Sequence, residues 1–97
     1  MATVHMYQLK TAAALDPQYA QGSVTHKNAV LLVERALAAE GLLDPSWVDG
    51  SFGTKTVQAY AAWQRALGYS GGEADGKPGY KSAAELGRQH GFRVVND

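Results

Sequence analysis

Asp49 and Asp75 are the residues whose type and placement come nearest to chemistry. Each begins a D-G turn, and Asp75 follows Asp49 by 26 positions. Two carboxylates can serve as the acid and base of a glycoside hydrolase when they face one substrate and one of them is held protonated. The turns account for both residues without that reaction, because an aspartate opening a tight turn accepts a hydrogen bond from a backbone N–H just downstream. The sequence therefore predicts turn formers here and no catalytic residue.

Metal and cofactor chemistry finds no support either. His5, His26 and His90 are far apart and lack the H-x-x-x-H or H-E-x-x-H spacing of a zinc site. The chain has no cysteine, which excludes thiolate catalysis, disulfides and Cys-based metal sites. Neither D-G turn has the spacing of an EF-hand loop. P-loops, G-x-G-x-x-G and serine nucleophile elbows are absent. No cofactor is expected.

With 97 residues, nine basic and nine acidic side chains and a formal net charge of +0, the chain has no global field to draw it to nucleic acid or anionic lipid. No apolar run approaches the ~20 residues that span a bilayer. Met1-Ala2-Thr3-Val4-His5 does not read as a signal peptide, since no basic start or apolar stretch is present. The expectation is a protein that stays where it is made, or a module of a larger exported one.

The elements that must position these residues read as helices. Val4, Tyr7, Thr11 and Leu15 recur at helical spacing over 3–15. Asp16-Pro17 is expected to end that stretch, because a residue before proline is driven out of the α region. Residues 16–24 read as a linker. A second helix runs from about 27 to 40, capped by Thr25 or Asn28 and stopped at Gly41. Thr54 is expected to cap a third helix over about 54–67, with Thr56, Tyr60, Trp63 and Leu67 on one face. A last helix spans roughly 80–89. No strand of useful length is predicted, so the expected class is all-α, with a helical segment over 1–24 preceding a domain over 25–97.

The strongest signal is a repeat. Asp49-Gly50-Ser51-Phe52-Gly53-Thr54-Lys55-Thr56 recurs as Asp75-Gly76-Lys77-Pro78-Gly79-Tyr80-Lys81-Ser82, and each copy opens a helix. Gly50, Gly53, Gly76 and Gly79 permit turn dihedrals, Phe52 can plug the core from its loop, and Pro78 stiffens the matching point. Thr56 and Ser82 fall in first helical turns, where small hydroxyls are tolerated. The repeat predicts two loop-helix units around a shared core.

Together with the helix ending Tyr60-Ala61-Ala62-Trp63-Gln64, the double D-G-x-x-G loop resembles the type-1 peptidoglycan-binding domain over about residues 27–90. Trp63-Gln64 stands where that family usually has Phe-Gln. Glu34 departs from a common Gln, Pro78 from an aliphatic residue, and Tyr80 from a Pro or Lys. Residues 1–24 have no counterpart in the minimal module. The resemblance implies a compact three-helix bundle that binds peptidoglycan without catalysis, as in phage endolysins and bacterial wall hydrolases. It implies action at the bacterial cell wall, with the wall polymer and a linked catalytic hydrolase domain as partners, and neither nucleic acid nor membrane.

Aromatic side chains are the expected ligand contacts. Trp47, Tyr69 and Tyr80 lie on or beside connectors, where binding residues concentrate. Tyr60 joins them because its hydroxyl needs a partner. Trp63 and Phe52 read as core. Lys55, Arg65 and Lys81 are solvated charges or partners for peptide carboxylates. The alternative reading is a protein-interaction module of the same fold, forming a homodimer through an apolar N-terminal helix. A helix-turn-helix DNA binder needs a basic recognition helix, and 54–67 offers only Lys55 and Arg65. A small hydrolase needs a convergent catalytic set, which is missing.

Overall fold

The computed structural model describes residues 1–18 and 24–97. The chain enters as a strand, β1 (Ala2–His5), and passes directly into helix α1 (Met6–Leu15). At the other end a strand β2 (Phe92–Val95) follows the last helix, and the two strands pair in parallel with Ala2 beside Phe92 and His5 beside Val95. The sequence predicted helix from residue 3 and no strands, so this is a correction. Among the described residues, the structure is mostly helical, with one small parallel strand pair. Its two partners lie at opposite ends of the sequence, and each is only four residues long, too short for a two-residue alternation to stand out.

Among the described residues, three further α-helices complete the globule: α2 (Lys27–Ala39), α3 (Thr54–Ala66) and α4 (Tyr80–His90). Their apolar faces meet in one core. Val30, Val33 and Leu37 of α2, Tyr60 and Trp63 of α3, and Ala83 and Leu86 of α4 are all buried. Val4, Met6, Leu9 and Ala12 are fully buried in the same cluster. Val4, Met6, Leu9 and Ala12, in β1 and α1, thus supply core side chains shared with the later helices. Part of the linker expected over 16–24, residues 19–23, lies outside the described residues.

The helix ends explain how the loops are aimed. Both α2 and α3 close with a Schellman pattern. Leu42 N–H donates to Leu37 O at 2.9 Å and Gly41 N–H to Ala38 O at 3.0 Å, while Tyr69 N–H donates to Gln64 O and Gly68 N–H to Arg65 O, each at 3.0 Å. The expected N-caps are corrected. The residue before α2 is His26 and the one before α3 is Gly53, and neither makes a side-chain cap bond. Thr25 spends its hydroxyl on Asp16 instead, at 2.5 Å. Asp16 itself keeps right-handed helical dihedrals despite the following proline, and the chain continues as a short 3-10 turn over Asp16–Gln18. Its carboxylate, buried and held by two donors, fixes that geometry.

Candidate functional site

Each D-G loop is clasped from inside by one side chain of the preceding helix. In the first, Glu34 of α2 reaches the loop: its Oε1 accepts from the N–H of Gly50 at 2.8 Å and of Asp49 at 3.2 Å, and its Oε2 from the Thr56 hydroxyl at 2.6 Å. In the second, Gln64 of α3 does the same work with an amide. Its Oε1 accepts from Gly76 N–H at 2.8 Å and its Nε2 donates to Lys77 O at 3.0 Å. The aspartates close the turns as predicted, Asp49 accepting from Ser51 N–H at 3.0 Å and Asp75 from Lys77 N–H at 2.9 Å. Both carboxylates are therefore engaged as turn closers.

A third acid binds the N-terminal part to the first loop. Asp16, 3% exposed, accepts from Phe52 N–H at 2.8 Å. The repeat also places its two hydroxyls in the interior, a role the sequence did not reveal. Thr56 meets Glu34, and Ser82 shares a 2.7 Å hydrogen bond with the Tyr60 hydroxyl. The signal was present, since Thr56 and Ser82 occupy the same place in the two copies. Among the described residues, every buried side-chain polar atom has a partner, as expected of a packed polar network.

Burial sets the electrostatics of this network. Desolvation pushes the Glu34 carboxyl up from 4.5 to about 7, against the pull of its bonds to Thr56 and Gly50. Burial likewise raises the Tyr60 hydroxyl.

The four expected ligand residues separate. Tyr60 is corrected: it is fully buried, 6.1 Å from the Phe52 ring, and its hydroxyl is satisfied internally, so no ligand reaches it. Trp63 and Phe52 are core, and the Trp63 indole N–H donates to Ser82 O at 2.9 Å. Trp47 stands half-buried on a different loop, with Lys55 Nζ 5.8 Å from its ring centroid. Tyr69 and Tyr80 come together. They line a shallow groove of about 390 Å³ with Glu73, Asp75, Lys77 and Lys81, and Gly79 adds backbone. Gln64, which clasps the loop, forms part of the groove floor. Tyr80 is 42% exposed, and so presents an aromatic face to solvent beside both acids and bases. Such a groove can stack a ring and bond hydroxyls, amides or charges around it.

Among the described residues, no three His, Asp or Glu side chains converge on a point that could hold a metal. No described helix is long and apolar enough to cross a membrane. No protein-family model matches the chain, and neither curated proteins nor solved structures give a match.

Proposed function

We propose that this chain is a non-catalytic peptidoglycan-binding module whose α2–α4 unit is a peptidoglycan-binding-like bundle. The observation that carries the reading is the Tyr69–Tyr80 groove, built on a loop that Gln64 holds in place from the core. The duplicated D-G loops and the Trp63-Gln64 pair support it through the family resemblance. A rigid loop carrying two aromatic rings and both signs of charge suits a polymer of sugars and short peptides. Such a module would raise the local concentration of a linked wall hydrolase on its insoluble substrate.

The test is retention of the purified chain on peptidoglycan stripped of teichoic acids, with Tyr69→Ala, Tyr80→Ala and Trp47→Ala in parallel. Saturable retention, lost in folded Tyr69 or Tyr80 variants, supports the reading. Absence of retention from a folded protein on walls of several chemotypes would move the assignment to a protein partner. Concentration-dependent sedimentation then separates a homodimer from a heterologous complex.

A further inference from the structure

The second loop is a partition between two depressions. On one side lies the Tyr69–Tyr80 groove, and on the other a trough of about 410 Å³ floored by Ala13, Pro17, Val57 and Pro78. Lys10 and Lys77 border the trough, and Lys77 borders both depressions. The backbone of Lys77 is pinned twice, its N–H donating to Asp75 and its carbonyl accepting from Gln64, while its side chain is exposed. Among the described residues, neither Lys10 nor Lys77 forms a salt bridge with an acid. The trough therefore joins an apolar floor to two unneutralised ammonium groups.

We infer that this trough binds a short peptide of small apolar residues carrying a free carboxylate, the peptide stem of the wall polymer. The inference rests on the wall-binding reading and adds a second subsite to it, one whose wall is the N-terminal helix α1. The chemistry selects the occupant. Small aliphatic side chains gain from an apolar floor in proportion to the area they remove from water. A carboxylate complements Lys10 and Lys77, and the volume is of the ligand-binding class. A bare glycan, covered in hydroxyls, gains little from such a floor and fits the mixed groove beyond Lys77. A stem peptide in the trough with its sugar in the groove would cross the partition at Lys77, so residues 1–18 belong to the binding unit.

Three probes separate the possibilities: intact stripped peptidoglycan, glycan strands freed of peptide by an amidase, and the released peptides with a free or amidated C-terminal carboxylate. Lys10 and Ala14 both line the trough and neither lines the groove, so Lys10→Glu and Ala14→Tyr alter the trough alone; both residues are exposed, so the fold should persist by circular dichroism. The released peptide is expected to bind the wild type, and each variant to weaken it about five-fold or more, as loss of one charge contact or blockage of the floor implies. Amidating the carboxylate should weaken it similarly, while retention on bare glycan strands stays unchanged. Peptide and wall binding that ignore both variants but still require Tyr80 would overturn the trough and leave the wall-binding reading intact. Failure of the wild type to bind any of the three probes would remove that reading. A dimer broken by Ala14→Tyr, without peptide binding, would make a second copy the occupant and overturn the proposal.

Discussion

The carboxylate of Glu34 and the hydroxyl of Thr56 lie 2.6 Å apart in the interior, where the first loop meets α2. Both protonation states of Glu34 can be satisfied there. Ionised, it accepts a hydrogen bond from the Thr56 hydroxyl; protonated, it donates to Thr56 Oγ1, which can turn its own hydrogen to the Ser51 carbonyl 3.4 Å away. Burial favours the neutral form and lifts the folded-state pKa from 4.5 to about 7. The folded protein thus holds a proton that the unfolded chain has released between those values. Its contribution to stability is complete below about pH 4.5 and is lost as pH rises through 7. Glu34→Gln keeps the acceptor for Gly50 and supplies a permanent donor to Thr56, as Gln64 supplies one to Lys77 in the second unit. The substitution should gain on the order of 1–2 kcal/mol over wild type at neutral pH, with the difference vanishing near pH 4.5. Urea unfolding of both proteins at the two pH values checks this, and a constant difference would refute it.

The equivalent glycines of the two loops should respond unequally to alanine. Gly76 has φ +77°, and a β-carbon there would sit 2.4 Å from the carbonyl oxygen of Val57. Gly50 has φ +85°, and its nearest obstacle is not backbone but the Cγ of Lys27 at 2.6 Å, which a change of that side chain's χ1 would have to clear. Gly76→Ala is expected to cost about 2–4 kcal/mol and Gly50→Ala about 1–2 kcal/mol. Thermal melts of the two variants would show the order, and equal losses would contradict it.

Removing the Asp16 carboxylate leaves two donors stranded. Asp16→Ala deprives Phe52 N–H and the Thr25 hydroxyl of their acceptor, the former in a buried loop. The expected loss is about 2–3 kcal/mol. Hydrogen exchange should show the Phe52 amide losing protection well before the amides in the middle of α3. Unchanged protection at Phe52 would show that the acid is not its acceptor.

Stability and binding should divide between two tyrosines. Tyr60→Phe deletes the interior bond to Ser82 and is expected to cost about 1 kcal/mol while leaving wall retention at wild-type level. Tyr80→Ala removes a 42%-exposed ring and should do the reverse. Paired melts and retention assays decide it, and loss of retention in Tyr60→Phe would return that residue to the ligand surface.

Much of this was legible before the structure. Helical spacing located α2 and α3 to within a residue or so, because each has one continuous apolar face, and the second D-G loop marked where α4 begins. The repeat located both loops and gave Asp49 and Asp75 their turn roles, since Asx geometry is local. What depended on distant partners was hidden. Glu34 and Asp16 look like surface acids until the loops they hold are folded over them. Tyr60 was open to a ligand role because only the tertiary structure brings Ser82 to its hydroxyl. The strands were missed for the same reason, as β1 acquires its meaning only from β2. Trp47 was grouped with Tyr69 and Tyr80 by its position on a connector, but the fold sets it beside Lys55, on another loop.

The pairing of Ala2 with Phe92 also bears on how the protein is made. A chain growing from its N-terminus exposes β1, including the Val4 that is fully buried in the finished fold, long before β2 has been synthesised. Local helices can form during that interval. The ladder closing one of the longest loops in the fold cannot form until residue 95 has cleared the ribosome, and its entropic cost falls in that final step. Completion of the core is thereby timed to the end of translation of this segment, so the half-made protein must keep its first strand unpaired and away from wrong partners.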